Sequence, residues 1–257
     1  MDLDGTILND KLQVADDDMQ ALERIKAGGV TVVVTTGRPF PGAVPWAQRL
    51  GLEGPIICYQ GAEVRMPSGE KLLDQGVSHE LAMEIVRFAR ERDLHVQAYR
   101  DDQVLVERER PEADEYGDHA GMQIHLVHDL DEAMGPTTPK VLIIADPALL
   151  ERILPDVRER WKGRLNAATS LPRYLEFTSI ESDKARALRF LSARMGIDQS
   201  EAAAVGDGRN DASMLEWAGL GVAVEGAPAE VIEAARGVTI PPPGHGGIVS
   251  LAGMLLK

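Results

Sequence analysis

Short runs of apolar and β-branched residues alternate with longer amphipathic segments, and this alternation restricts the fold more than any other feature of the sequence. Three of the runs are typical of buried strands: residues 30–36 (VTVVVTT), 55–59 (PIICY) and 202–205 (AAAV). The segment 16–27 begins with acidic residues and is followed by two glycines, as expected of a capped helix. Strands that alternate with helices predict a parallel sheet with helices packed on it.

The middle of the chain has a different pattern, in which strand-like runs follow one another closely. Helices are predicted over 78–92 and 147–161. Strands are predicted at residues 95–99, 104–107, 123–127, 140–145, 165–169 and 174–177. We therefore predict an α+β unit over residues 78–174, inserted into a core formed by residues 1–77 and 175–257.

The charge balance and the single cysteine limit the environments in which the chain would function. The 257 residues include 41 acidic and 27 basic side chains, a formal charge of −14 that repels phosphate backbones and anionic lipids. The lone Cys58 cannot form an intrachain disulfide, and the first ten residues lack the basic region of a signal peptide. No apolar run approaches the ~20 residues of a membrane span. We therefore expect a cytoplasmic protein with neither nucleic acid nor a membrane as its partner.

Two acidic residues near the start of the chain are candidates for binding a divalent cation. Asp2 and Asp4 are two positions apart, so in an extended segment their side chains lie on the same face, and Gly5-Thr6 allows a sharp turn after them. Neighbouring carboxylates favour a divalent ion, and one of them can retain a proton because both do not ionise easily. Taken alone, the pair is explained equally well as an acidic turn.

A second acidic segment, residues 206–211 (GDGRND), follows the apolar run at 202–205. Asp207 lies where the strand ends and Asp211 near the start of the next helix, so both are predicted to face the crevice at the carboxyl edge of the parallel sheet. The spacing fits neither a dinucleotide-binding loop, since Asp211 stands where the third glycine would be, nor a P-loop, which needs a lysine. A turn rich in Gly, Asn and Asp that caps a helix is the ordinary alternative.

Two further segments carry groups that suit an anion. Thr36 and Gly37 end the valine-rich strand and offer a hydroxyl and backbone N–H groups at the same sheet edge. Lys184 stands in the predicted first turn of a helix over 183–195, where a positive charge opposes the helix dipole unless an anion lies close by. A strand-end threonine and a solvated lysine are the ordinary explanations. Only the order of the four segments along the chain favours a common site.

In this order, the four segments resemble the motifs of the haloacid dehalogenase-like hydrolase superfamily, specifically its Cof-type phosphatases, in which a large class IIB cap is inserted between the second and third motifs. The matching residues are Asp2–Thr6, Thr36–Pro39, Lys184 and Gly206–Asp211. The resemblance implies a Rossmann-like doubly wound parallel-sheet core with an inserted α+β cap. It also implies a Mg²⁺-dependent phosphatase for small phosphorylated metabolites, such as sugar phosphates or cofactor-like monoesters. We expect a monomer or a homodimer.

The resemblance further implies a role for each matching residue. Asp2 would be the nucleophile that forms an aspartyl-phosphate, and Asp4 would protonate the leaving alcohol and then activate the hydrolytic water. The implied Mg²⁺ ligands are the Asp2 carboxylate, the Asp4 carbonyl and Asp207, with Asp211 either bound directly or close behind them. Thr36 and Lys184 would be catalytic. The implied substrate-binding residues are Thr36, Gly37, Arg38, Lys184 and Asn210.

The chain departs from the family pattern in two places that bear on the site. Family members usually have an apolar strand before the first aspartate, where this chain has only Met1, and we expect the natural chain to start upstream or to have been shortened. The family often has Asn-Gly after its third core strand, where this chain has Gln60-Gly61. Contacts on the phosphate side or the cap side of the site are therefore expected to differ.

Three other functions are compatible with parts of this pattern. A sugar-phosphate mutase would use the same two carboxylates but return the phosphoryl group to its substrate. The missing first strand is the reason to consider a non-catalytic relative that only binds metal and phosphometabolite. A receiver-type signalling domain also places aspartates, a threonine and a lysine around Mg²⁺, but its acceptor aspartate follows the third strand, where this chain has Cys58-Tyr59-Gln60. Such domains also lack so large an insert.

Overall fold

The computed structural model describes residues 1–256, apart from the side chains of residues 119 and 170. Its strands are β1 (Val34–Thr35), β2 (Ile56–Cys58), β3 (Glu63–Arg65), β4 (Lys71–Asp74), β5 (Val77–Ser78), β6 (His95–Arg100), β7 (Gln103–Val106), β8 (Ile124–Leu126), β9 (Thr137–Thr138), β10 (Val141–Ile144), β11 (Leu165–Leu171), β12 (Tyr174–Ser179), β13 (Ala203–Gly206), β14 (Leu220–Val224) and β15 (Thr239–Ile240). Its helices are α1 (Asp16–Ala27), α2 (Phe40–Arg49), α3 (His79–Arg90), α4 (Pro111–Ala120), α5 (Leu130–Ala133), α6 (Pro147–Arg160), α7 (Lys184–Met195), α8 (Ala212–Trp217), α9 (Ala229–Ala234) and α10 (Gly247–Leu255). Within the described residues, none of these helices combines the length and the apolar character that a membrane crossing requires.

The chain divides into two units whose boundaries differ from those predicted. The first unit contains residues 1–37, 43–72 and 183–256, and the second contains residues 38–42 and 73–182. Residues 73–77 and 175–182, which the sequence pattern assigns to the core, therefore belong to the second unit. The reason is strand pairing: β5 pairs with β9, and β12 pairs with β10 and β11 as far as Ser179.

The first unit contains the parallel strands expected of the core. β1 and β2 are parallel neighbours, and so are β13, β14 and β15. β3 and β4 extend the sheet of β1 and β2, with β3 antiparallel to β2. The predicted runs at 30–36, 55–59 and 202–205 each contain or overlap a strand, and the predicted α/β class is confirmed.

Residues Met1 and Asp2 lie between these two sheets. The Asp2 N–H donates to the Val205 carbonyl (2.9 Å), and the Met1 carbonyl accepts from the Thr35 N–H (2.9 Å). Leu3, the next residue, is completely buried. This short segment therefore lies where a parallel strand between β1 and β13 would lie, and it places Asp2 level with the carboxyl ends of both strands.

The second unit is built on a six-stranded sheet. The strand order is β11-β12-β10-β6-β7-β8, antiparallel except for the parallel pair β7 and β8. Its apolar core includes Phe88, Trp161 and Phe177, and the Trp161 ring contacts the other two edge to face, with centroids 5.4 Å apart in each pair. The mixed α and β character predicted for the insert is present in this unit.

Helix α4 lies in the polar stretch 108–121, where the sequence pattern predicts no helix. It begins with Pro111 in its first turn and ends at Gly121, which has a left-handed backbone (φ 65°). Its buried apolar side chains are Ala113 and Tyr116. Two such residues do not make a helical repeat that can be recognised in the sequence.

Candidate active site

The predicted acidic residues meet at the carboxyl edge of the first unit's parallel strands. Asp2 lies beside the ends of β1 and β13, Asp207 follows β13 directly, and Asp211 ends a 3₁₀ turn that leads into α8. One carboxylate oxygen from each of these three residues lies within 4.8 Å of those of the other two. Asp4 is exposed, and its side chain does not belong to this group. Its predicted metal contact is its backbone carbonyl, so this position stays a prediction.

Lys184 places a positive charge inside the acidic cluster. Its Nζ donates to Asp2 Oδ1 (2.7 Å) and to Asp211 Oδ1 (2.6 Å), and its side chain is 1% exposed. Burial by itself would lower the pKa of Lys184, but the two carboxylates outweigh burial and raise the pKa above its ordinary value. Lys184 therefore stays protonated at neutral pH. A positive charge near a helix N-terminus is unfavourable unless anions lie close by, and the carboxylates of Asp2 and Asp211 are those anions.

Asp183 holds the start of α7 beside the cluster. Its Oδ1 accepts from the Arg186 N–H (3.0 Å) as a helix N-cap, and its Oδ2 accepts from Ser213 Oγ (2.7 Å) at the start of α8. On another side, a Cβ added to Gly61 would lie 2.4 Å from the Asp183 carbonyl oxygen. The backbone that carries Lys184 is therefore fixed both by α8 and by the turn after β2.

Burial and mutual repulsion disfavour the ionised carboxylates. Burial raises the pKa of Asp2 to about 7; Lys184 opposes this shift, whereas Asp211 and Asp207 add to it. Burial also raises the pKa of Asp207, against the effect of a hydrogen bond from Thr6 Oγ1 to Asp207 Oδ1 (2.7 Å). The Lys184 ammonium alone does not balance three carboxylates, so a further cation would stabilise the cluster.

Asp211 uses both of its carboxylate oxygens for protein contacts. Oδ1 accepts from Lys184, and Oδ2 accepts from the N–H groups of Asp207 (3.1 Å) and Gly208 (2.9 Å). A Cβ added to Gly206 would lie 2.5 Å from the Asp211 Cβ, so the loop closes tightly around this side chain. Asp211 is therefore better suited to orienting Lys184 and the 206–208 loop than to binding a metal directly.

Asp2 and Asp207 have the donor set that a small, hard cation prefers. Asp2 Oδ1 accepts from Lys184 and Asp207 Oδ1 accepts from Thr6. Within residues 1–256, neither Asp2 Oδ2 nor Asp207 Oδ2 accepts a hydrogen bond. Each residue thus keeps one carboxylate oxygen for an ion, and carboxylate oxygens are ligands that Mg²⁺ favours. The residues present therefore fit a magnesium ion.

Gly5 is expected to be essential for the position of Asp207. It has φ +79°, and an added Cβ would lie 2.4 Å from Asp207 Oδ2. We expect Gly5→Ala to displace this carboxylate and to weaken Mn²⁺ or Mg²⁺ binding roughly 10–100-fold, measured by calorimetric titration. The control is Gly29→Ala, because Gly29 has a similar backbone (φ +85°) with nothing within 4 Å of an added Cβ. Equal effects of the two variants on metal affinity would contradict this prediction.

The turn after β2 connects the threonine segment with the acidic loop. The Thr36 N–H donates to the Ile57 carbonyl (2.8 Å), and the Gln60 N–H donates to the Thr36 carbonyl (3.1 Å). Gln60 Oε1 accepts from Asn210 Nδ2 (2.8 Å). The Gln60 amide also lies against Gly37, where an added Cβ would come within 2.4 Å of Gln60 Nε2. The structure therefore brings Thr36, Gly37 and Asn210 around one glutamine.

Two residues of this arrangement are outside the predicted set, and one predicted residue lies in the other unit. Thr6 orients Asp207, and Gln60 bridges two loops; the sequence singles out Thr6 only as part of the first motif and Gln60 only as a departure from the family pattern. Arg38 lies in the segment 38–42 of the second unit. Its predicted role in substrate binding stays a prediction.

Comparisons with known proteins show which family and fold this chain resembles. A profile of haloacid dehalogenase-like hydrolases matches residues 1–249. Phosphatase YwpJ of Bacillus subtilis is 28% identical over 96% of this chain and 95% of its own length. The HMP-PP phosphatase of Cronobacter sakazakii is 26% identical over 90% of this chain and 85% of its own length. The crystal structure of a haloacid dehalogenase-like hydrolase from Bacteroides thetaiotaomicron has a TM-score of 0.88 at 28% identity, over 99% of this chain and 97% of that one.

Proposed function

We propose that this chain, which belongs to the haloacid dehalogenase-like hydrolase family, is a Mg²⁺-dependent phosphatase that hydrolyses monoesters of sugars or cofactor-like metabolites through an aspartyl-phosphate. Its family and its relatives establish the coarser activity, which is that of a phosphatase acting on small phosphorylated metabolites. The observation that carries the finer proposal is the buried Lys184 ammonium between Asp2 and Asp211, with Asp207 beside them.

Asp2 is the proposed nucleophile of the first step. Its carboxylate oxygen attacks phosphorus, the bond between phosphorus and the ester oxygen breaks, and the phosphoryl group is transferred to Asp2. The electron pair of the broken bond leaves with the alcohol, and Asp4 donates the proton that neutralises it. The exposed side chain of Asp4 can meet a leaving group that arrives from solvent.

The second step uses the same two residues. Asp4, now ionised, removes a proton from a water molecule, and the water oxygen attacks the phosphorus of the aspartyl-phosphate. The bond between phosphorus and the Asp2 oxygen breaks, so inorganic phosphate is released and the Asp2 carboxylate is restored. Asp4 has regained the proton that it gave to the alcohol, and the enzyme is ready for another turnover.

The remaining residues would neutralise charge and position the phosphoryl group. Like unit charges ~4 Å apart repel by about 4 kcal/mol at an effective dielectric of 20, so a carboxylate can attack a phosphate only where cations lie close by. Lys184 would provide one of them, since its raised pKa keeps it protonated. Mg²⁺, held by Asp2, Asp207 and the Asp4 carbonyl, would polarise a phosphoryl oxygen. Thr36 would donate a hydrogen bond to another oxygen.

The test is the release of inorganic phosphate from a panel that includes p-nitrophenyl phosphate, sugar phosphates and HMP-PP, ranked by kcat/KM. With Mg²⁺ we expect release, and we expect a chelator to lower the rate on the order of 100-fold or more, with recovery when Mg²⁺ is restored. An isomerised product without free phosphate would support a mutase instead. Binding of metal and metabolite with no phosphate release from any substrate would support a non-catalytic relative.

A further inference from the structure

We infer that Gln60 is a phosphate-binding residue, whose side-chain NH₂ group donates a hydrogen bond to a non-bridging phosphoryl oxygen of the substrate. The inference rests on the proposed function, because it adds a residue to the same site. Glutamine is a neutral donor, so it can bind an anion without changing the charge of the cluster.

The backbone of Gln60 lies among the segments that are proposed to hold the phosphate. Its N–H donates to the Thr36 carbonyl (3.1 Å), which ties the turn after β2 to the end of β1. The next residue, Gly61, packs so closely on the start of α7 that an added Cβ would lie 2.9 Å from the Lys184 backbone nitrogen. Gln60 therefore stands between the threonine segment and the helix that carries the buried lysine.

The side chain of Gln60 is oriented by two contacts. Its Oε1 accepts from Asn210 Nδ2 (2.8 Å), and its Nε2 lies over Gly37, 2.4 Å from where a Cβ on that residue would be. A side chain at position 37 would therefore collide with this amide. Asn210 holds the oxygen end of the amide, so the NH₂ end is directed towards the backbone of Gly37.

The NH₂ group of Gln60 has no acceptor among the described residues, so it is available to a ligand. The residue is half-buried, and no acceptor within residues 1–256 bonds to its Nε2. Water can satisfy such a donor, but a hydrogen bond to an anion is among the stronger kinds. A phosphoryl oxygen bound at the Gly37 N–H would be such an acceptor.

The backbone conformation of Gln60 favours a role for this side chain. Tyr59 and Gln60 both have left-handed backbones, with φ of 51° and 59°. Asparagine adopts this region more readily than glutamine does. Glutamine is one methylene longer, and this length is what carries the amide over Gly37 to meet Asn210. Glutamine, although less favourable on this backbone, thus places its NH₂ group at Gly37, whereas the shorter side chain of asparagine would leave the NH₂ group further from Gly37.

The experiment compares Gln60→Glu with the wild-type protein in the presence of Mg²⁺. Glutamate keeps the shape of the side chain but replaces the donor with a negative oxygen. We expect its affinity for inorganic phosphate to fall roughly tenfold or more, both as a competitive inhibitor of p-nitrophenyl phosphate hydrolysis and in calorimetric titration. The control is Gln20→Glu on the exposed surface of α1, which makes the same charge change and should alter phosphate affinity less than about twofold.

A second variant keeps the test decisive if Gln60→Glu does not fold. Gln60→Asn suits the left-handed backbone and retains an amide, so we expect a folded protein with phosphate affinity lowered about 3–10-fold. A lower kcat with unchanged phosphate affinity in the folded variants would mean that Gln60 only orders the loops, and it would overturn the inference. A wild-type protein that neither binds phosphate nor hydrolyses any ester would instead overturn the proposed function itself.

Discussion

Asp2→Asn is expected to lower kcat for p-nitrophenyl phosphate by roughly 10⁴-fold or more, because an amide oxygen cannot form the acyl-phosphate on which both steps of the proposed mechanism depend. The amide oxygen can still accept a hydrogen bond from the Lys184 Nζ, which donates to Asp2 Oδ1 at 2.7 Å in the wild-type protein. The loss should therefore appear in kcat and not as unfolding. Phosphate release measured at saturating Mg²⁺ is the readout.

The same substitution is expected to leave stability unchanged or raise it. Burial raises the pKa of Asp2 to about 7 in the folded protein, whereas an aspartate in an unfolded chain has a pKa of ~3.9. Above the lower of these values, ionisation is less favourable in the folded state than in the unfolded state, so Asp2 lowers the free energy of unfolding. Asparagine carries no such cost. At pH 8, with a chelator present, the melting temperature of the variant should equal or exceed that of the wild-type protein. Substitutions at active sites commonly raise stability while they lower activity.

The matched control for this prediction is Asp10→Asn. Asp10 is an exposed acid in the same N-terminal segment, and its substitution removes the same charge without touching the cluster. Its turnover should stay within about twofold of the wild type. If Asp2→Asn keeps a substantial fraction of wild-type turnover, or if both variants lose activity to the same extent, Asp2 is not the nucleophile.

The structure brings predicted site residues together, whereas the limits of its two units differ from the predicted boundaries. The convergence of Asp2, Asp207 and Lys184 follows from where each segment ends, because residues that follow neighbouring parallel strands share one edge of the sheet. The second unit extends past the predicted boundary near 175, because β12 continues to Ser179 and pairs with β10 and β11. Which unit a strand joins is decided by its pairing partners, and these lie far away in the sequence.

The details of the site depend on backbone geometry that no residue pattern encodes. Asp211 has the position of a metal ligand in the sequence, but the N–H groups of Asp207 and Gly208 occupy one of its oxygens. Gln60 lies against Gly37 from a residue whose own backbone is left-handed. In both cases the residue type can be read from the sequence, whereas the direction of its polar atoms is set by two or three dihedral angles.

Lys184→Met is expected to reduce turnover on the order of 10²–10³-fold, because it removes a fixed positive charge from the proposed phosphate-binding site. It should also lower the free energy of unfolding by about 3–5 kcal/mol, since it leaves Asp2 and Asp211 as buried charges without their partner. A third effect shows whether Lys184 acts through its charge or only through its packing. With the ammonium gone, the carboxylates should bind Mn²⁺ more tightly than in the wild-type protein, as followed by electron paramagnetic resonance.

Lys140→Met is the control for the effects of Lys184→Met on Mn²⁺ affinity and on turnover. Lys140 is 2% exposed and its Nζ donates to Glu176 Oε1 (2.8 Å), so it forms a buried ion pair like that of Lys184, but within the second unit. We expect a comparable loss of stability, with turnover per folded molecule and Mn²⁺ affinity within about threefold of the wild type. Both variants should be assayed at low temperature, where circular dichroism reports them folded. If folded Lys184→Met hydrolyses p-nitrophenyl phosphate as fast as folded Lys140→Met, the lysine is structural, and the charge that balances the phosphate must come from elsewhere.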